Sequence, residues 1–338
     1  MRLRWLSLTL VLPLMTGCQR GPETVLDDYL TRLERVLEVE RPAPQPPALP
    51  SRPARAALQP PASSRVALLD PLSLKPCQVL PLIAEHNAPM GKLALPSGQY
   101  RYQRQLLHRL HRCDPSELEP EGVALRQQVV EDRTPQLAQR FGRMLLLSEE
   151  LWYKLDSSEA PWQWQGDVET EQLLSQLAQY RTQSLALDYP HDSDGQELEA
   201  LLNQVRASAQ PASLHRSMIA LMTTLDQASA MLAASGLDSC SRQEAEILPN
   251  LLVAIYGKRV QPLLAQVQRS DQALTGPLRD LLQPVPDKAF FTFYLSSENS
   301  SLRAKYRSSV DRHTDHWQRK IAQCGGLPGQ QSDNRPGT

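Results

Sequence analysis

The sequence predicts an all-α fold: a multi-helix, bundle-like domain with an N-terminal helix and a Pro-rich linker. Three observations predict it. Leu, Ala, Gln, Glu and Arg abound, and all five form helices readily. Isoleucine occurs only five times and aromatic residues make up 5% of the 338, too few β-branched and aromatic side chains to furnish a sheet. Apolar residues recur at helical spacing between capping residues and first-turn prolines along most of the chain.

Residues 1–17 stand apart from that domain. Arg2 and Arg4 form a positive leader, and Trp5 to Met15 is apolar except for Ser7 and Thr9. Eleven helical residues rise about 16 Å, whereas a bilayer span needs about 20 residues. The run therefore reads as a secretory signal peptide. It ends in Leu14-Met15-Thr16-Gly17-Cys18, where small residues leave the backbone open to a peptidase and Cys18 offers a thiol. This ending resembles the bacterial lipoprotein signal, or lipobox, although Met15 stands where that family most often has Leu. The resemblance implies a mature chain of 321 residues beginning at Cys18, which carries a diacylglyceryl thioether and an N-acyl chain. One acyl chain anchors marginally, and two or more anchor firmly. Gln19 replaces the Asp that usually retains such proteins in the inner membrane. That implies the outer membrane, with the protein facing the periplasm. An ordinary signal peptide followed by a chance cysteine is the alternative reading.

Residues 18–40 hold the lipidated terminus and an amphipathic helix. Gly21-Pro22-Glu23 opens it, and Val25, Leu26, Tyr29, Leu30, Leu33, Val36 and Leu37 lie on one face. Asp27 and Asp28 come early and Arg32 and Arg35 late, which suits the helix dipole. The stripe can dock on the main domain or lie on the membrane; its mixed-charge polar face favours docking. Residues 41–64 are a linker. RPAPQPPALPSRPARAALQPPA (41–62) has eight prolines, which lack the donor that helices and sheets require, so it reads as a semi-rigid extended spacer.

Residues 65–324 form the all-α domain. CQVLPLIAEH (77–86) leads through a turn-rich stretch to QYRYQRQLLHRLHRC (99–113), and Asp114-Pro115 and Thr134-Pro135 each restart a helix. Gly236 closes a helix begun near Pro211, and Ser241 to Glu244 has capping-box spacing. Pro249 and Pro262 kink or divide the next helical stretch. AFFTFYL (289–295) holds three of the four Phe residues, a long helix begins near Asn299, and 325–338 are a flexible tail. The segment EHNAPMGKLALPSGQYRYQRQLL (85–107) resembles an uncharacterised family of proteobacterial lipoproteins known only as a domain of unknown function. The likeness extends over most of residues 20–325. It implies a lipoprotein and brings no activity, so it assigns no catalytic residue.

Chemistry-bearing patterns are sparse. The formal charge of −1 becomes −3 once Arg2 and Arg4 leave, which gives no electrostatic support for nucleic-acid binding. Two HxxH pairs occur, His108/His111 and His313/His316. The first lies off the apolar stripe among arginines and reads as solvated. His313 falls on the stripe Leu302, Tyr306, Val310, Trp317, Ile321 and Cys324 and reads as a core histidine bonded to a polar neighbour. Neither matches HExxH, and nucleotide-binding, serine-hydrolase and P-loop signatures are missing. Trp152, Tyr153, Trp162 and Trp164 could line a groove, but packing between helices explains them as well. No catalytic, cofactor or metal residue is assigned.

These readings converge on a lipid-anchored envelope protein that is structural or interactive and not an enzyme. Its partners are the membrane, through the anchor, and an unidentified envelope protein. An envelope hydrolase with a site gathered from distant residues, or a carrier of an apolar ligand, are the alternatives. A pocket joining a histidine to an acid would favour the first, a large dry cavity the second, and an exposed apolar patch the interaction protein.

After Cys18, four cysteines remain. Residues 77–86 and 99–113 suit an antiparallel hairpin around Pro96, which brings Cys77 to Cys113, each on an apolar stripe. Cys240 and Cys324 then pair by elimination. Four buried free thiols are the alternative, disfavoured for an exported chain.

Overall fold

Two apolar cores organise the helices, and one helix serves both. The computed structural model describes residues 21–51, 53–54, 56–58, 70–148, 168–187, 195–208, 212–283 and 288–327. The protein is all-α, and the described residues contain no strand. Cys18, the segment 1–17, the aromatic residues at 152, 153, 162 and 164, and most of the tail lie outside the described residues.

Helix α1 (Pro22–Leu37) follows the expected stripe and ends at Glu38, which takes a left-handed φ of 53°. The small subdomain comes next. A 3-10 segment (Asp70–Cys77) precedes α2 (Leu80–Asn87), the four-residue α3 (Pro89–Lys92), α4 (Pro96–Arg112) and α5 (Pro120–Arg133). Cys77 thus closes a 3-10 turn and does not open α2. Asp114 accepts from the Ser116 N–H, but it caps only the short turn Pro115–Glu117. The main bundle adds α6 (Leu137–Leu147), α7 (Val168–Leu185), α8 (Gln196–Ala207), α9 (Ala212–Ala234), α10 (Arg242–Leu251), α11 (Gln261–Leu282), α12 (Lys288–Leu295) and α13 (Leu302–Gln323). Ser241 and Glu244 form the capping box of α10. Between Pro249 and Pro262 the hydrogen-bond ladder widens to a π-helix over Leu252–Val260.

The small core joins Leu74, Val79, Leu82, Leu106, Leu110, Leu125 and Val129 around the Cys77–Cys113 disulfide. Tyr100 and Leu107 of the same α4 enter the main core, against Phe141 and Leu145. Each core therefore has a disulfide at its margin, the second joining Cys240 to Cys324 across 84 residues. In the chain-entropy account each bridge stabilises by about 4 kcal/mol.

The axis of the main bundle is the pair α9 and α13, and α1 packs on α9, α10 and the π segment. A chain of hydrogen bonds ties these elements together, and its protons can be assigned. Ser229 donates to the Leu225 carbonyl at 2.6 Å, so its oxygen accepts from Nδ1–H of His313 at 3.1 Å. Nε2 of His313 is then an acceptor and takes the Tyr29 hydroxyl at 2.8 Å. The Trp317 indole N–H donates to the Tyr29 oxygen, also at 2.8 Å. Tyr256, carried in by the π segment, lies against both rings, 5.1 Å from His313 and 5.7 Å from Tyr29. His313 and Tyr29 are wholly buried.

Near the end of α13, the buried Lys320 ammonium meets Glu244 at 2.7 Å and donates to the carbonyls of Gly236 and Ser239 at 3.0 Å each. Burial pushes the Glu244 carboxyl up, but bonds from Lys320 and Ser241 outweigh it and hold the group below the usual range. The Pro-rich stretch is laid against the bundle where it is described. Arg41 bonds Asp27, Thr31 and, through its N–H, Glu34; the Pro42 carbonyl accepts from Gln227; Leu58 is fully buried.

Burial first, and the nearby His316 second, push the His313 pKa down to about 3, from an ordinary 6.5. A second ring proton would face the Tyr29 hydroxyl proton, so charging His313 breaks the chain. Below pH 6.5 the unfolded chain takes up a proton that the folded chain refuses. The stability this residue confers is full above that pH and declines toward pH 3, by up to about 1.4 kcal/mol per pH unit. His313→Gln is expected to be less stable at pH 7 yet to lack this slope. Urea unfolding from pH 7 to 4.5 reads it; equal slopes in both proteins would refute the assignment.

Candidate functional site

The feature that folding alone does not explain lies on the small subdomain. Met90, Leu93 and Leu95 fall within six residues and are 79%, 78% and 69% exposed. Single exposed apolar side chains are ordinary, but three in one short segment make a patch. Its backbone is pinned. The Ala88 N–H donates to Ala84, Leu93 to Met90, Ala94 to Gly91 and Gln99 to Leu95, while the Gln99 side chain donates to the Ala94 carbonyl at 3.0 Å. Pro89 and Pro96 start α3 and α4 and fix the turns on either side. The three side chains stand on a short ordered prong.

Gly91 permits this geometry. A Cβ there would lie 2.2 Å from the Glu85 carbonyl oxygen and 2.6 Å from that of His86. Only glycine lets α3 fold back so closely on α2.

Two clefts flank the prong, and His86 lines both. Its ring stacks on Tyr102 with centroids 3.7 Å apart and planes 5° from parallel. Burial, then the charge of Arg133, lowers the His86 pKa. On one side the cleft runs past Leu82, Glu85, Ala94 and Arg101. On the other, a cleft of about 190 Å³ is bounded by Gln99, Tyr100 and Gln103 of α4 and by Arg140 and Arg143 of α6. A further groove, about 250 Å³, lies on the main bundle beside Tyr306. There Arg303 bonds Asp271 twice through Nε and Nη2, at 2.8 and 2.6 Å, and Thr275 donates to the same carboxylate at 2.7 Å. That carboxylate is ion-paired, and both of its oxygens accept hydrogen bonds.

The histidine pairs are not brought together as sites. His108 bonds the Leu187 carbonyl through Nδ1, and His316 bonds the Ser229 carbonyl at 3.0 Å. His313 is the core histidine of the fold. Among the described residues no three His, Cys, Asp or Glu side chains gather as metal ligands. The sequence reading missed the prong and the arginines. Met90, Leu93 and Leu95 lie in the turn-rich stretch between two helical segments, and nothing in their order marks them as exposed. Arg133, Arg140 and Arg143 lie on two helices separated by a turn, and only packing against α4 assembles them.

A family model described as a protein of unknown function (DUF3080) matches residues 26–328. No curated protein and no solved structure matches the chain. The match takes in the whole small subdomain, prong included.

Gly91→Ala is expected to loosen the prong locally, because its obstacles are backbone atoms that cannot rotate away. Amide hydrogen exchange at Leu93, Ala94 and Gln99 should quicken at least tenfold, with at most about 1–3 kcal/mol lost globally. Unchanged exchange at these three amides would show that the close approach is not needed.

Proposed function

We propose that this chain, which belongs to the DUF3080 family, is a lipid-anchored protein of the bacterial envelope that acts by binding another envelope component rather than by catalysis. One observation carries the reading: a pinned backbone holds Met90, Leu93 and Leu95 in solvent. Fully burying one such side chain is worth about 1.5–3 kcal/mol, so a partner that covers all three gains substantially. The occupant we infer is a protein surface with an apolar recess and an acidic group at its edge, since exposed Lys92 stands within the prong.

Several features support the anchor. The run ending in Thr16-Gly17-Cys18 suits export and acylation, and two disulfides suit an oxidising compartment. Three residues separate Cys18 from α1, and α1 is part of the main core. An acyl group on Cys18 would hold the folded body within about 14 Å of the bilayer, given about 3.5 Å per extended residue. Gln19 points to the outer membrane, facing the periplasm. No described helix is long and apolar enough to cross a membrane. The hydrolase alternative would fall to His86 and Glu85, which line one cleft; the His86 ring is stacked flat on Tyr102, and the exposed apolar patch beside it favours docking.

Two measurements test this. Metabolic labelling with a clickable fatty acid should mark the wild type and not Cys18→Ser, which should leave the membrane fraction; a labelled, membrane-bound variant would remove the anchor. A photo-crosslinker at Leu93 in cells should give a discrete protein adduct that is lost when Met90 and Leu95 are changed to Ser, whereas one at Ile247 should not. Adducts to lipid alone, or none, would overturn the docking reading.

A further inference from the structure

The cleft between α2, α4 and α6 has chemistry that neither the helix packing nor the prong uses. Arg133 ends α5, and Arg140 and Arg143 sit on α6. Among the described residues, Arg133 donates through Nη1 to the Gln103 oxygen at 3.4 Å and bonds the Tyr102 side chain. Arg140 donates through Nη2 to Gln136 at 2.9 Å. The Nε–H groups of Arg133 and Arg140 are buried without an acceptor, and neither arginine has an ion-pair partner among the described residues. The described lining, His86, Gln99, Tyr100, Gln103, Arg140 and Arg143 among it, includes no carboxylate.

Such an arrangement is unfavourable as it stands. Burial first, then repulsion from Arg133 and Arg143, lowers the Arg140 pKa to about 10, and Asp132 offsets this in part. The group still carries its charge at neutral pH. The chain has 36 basic and 37 acidic residues, so the cluster does not follow from a basic composition. Two half-buried arginines elsewhere are ion-paired, Arg259 with Asp28 and Arg303 with Asp271. An incoming oxyanion would screen this repulsion.

We propose that this cleft binds a phosphate group, with Arg140 of its lining as the cationic ligand and Arg133, held against the lining residue Gln103, as a second positive charge beside it. Planar guanidinium forks match phosphate oxygens in pairs. A phosphate uses more of the donors present, and more of the charge, than a carboxylate does. The cleft of about 190 Å³ admits the group with a substituent, and Met144 and Leu147 give that substituent an apolar wall. The phosphate can belong to a phospholipid headgroup or to a soluble phosphate compound.

Calorimetric titration of the full chain, purified in detergent, separates the cases. The probes are inorganic phosphate, short-chain phosphatidylglycerol below its micellar concentration, and acetate. Phosphate or phosphatidylglycerol should bind and raise the melting temperature. Arg140→Gln and Arg133→Gln should each weaken binding at least tenfold, Arg140→Lys should restore part of it, and exposed Arg242→Gln should change nothing. Tighter binding of phosphatidylglycerol assigns the site to a headgroup, and equal or tighter binding of inorganic phosphate assigns it to a soluble compound. No binding of either, undiminished binding by both Gln variants, or acetate binding as tightly as phosphate would overturn the proposal. If Arg140→Gln does not fold, Arg133→Gln gives the same reading.

Discussion

The bundle depends on a chain of hydrogen bonds sealed away from water: Trp317 to Tyr29, Tyr29 to His313, His313 to Ser229, Ser229 to Leu225. Each donor has an acceptor, so four polar side chains lie in an apolar core without the penalty of unsatisfied groups. The chain has a direction. Ser229 spends its proton on its own helix, which makes Nδ1 the donor and Nε2 the acceptor in His313, and that in turn orients the Tyr29 hydroxyl. Apolar packing alone would let α1 slide along its groove. The directional contacts set its register against α9 and α13.

That register matters for whatever precedes α1. With Tyr29 at the centre of the main core, α1 belongs to the folded body and does not serve as a tether. The π segment has a related role. Pro249 and Pro262 bracket a stretch where the regular ladder gives way, and the wider turn brings Tyr256 against both rings of the chain. Arg259, at the end of the same segment, pairs with Asp28 of α1. Polar contacts on the outer side of α1 thus repeat the placement made inside.

The small subdomain works differently. Its own core is slight, and the Cys77–Cys113 bridge closes 36 residues around it. α4 gives one face to each core, so the subdomain cannot drift from the bundle without exposing Tyr100 and Leu107. This fixed base lets α3 present apolar side chains outward, and it holds Gln99 and Gln103 opposite the arginines of α6. Rigidity, apolar exposure and clustered positive charge therefore meet beside His86. Each opposes stability locally, which is how binding surfaces differ from the rest of a fold.

How much of this is legible in the sequence depends on the range of the forces involved. The helical class, the stripe of α1, the capping box at Ser241 and the core position of His313 are set by neighbours three or four residues apart, and they can be read directly. The hairpin of α2 and α4 has a short connection, so Cys77 and Cys113 could be placed together, although the first turn proved to be 3-10. The alternative of four free thiols was removed only when the cysteines were seen joined. His313's partners, 84 and 284 residues away, could not be read, because hydrogen-bond geometry is fixed only after the helices pack. The prong and the arginine cleft also belong to tertiary structure. Whether Leu93 is buried, and whether Arg140 has a counter-ion, depends on what is absent from the surrounding space, and spacing along a chain carries no information about that. By itself the sequence determined which faces of the helices were apolar; packing decided which apolar and charged groups were left without a partner.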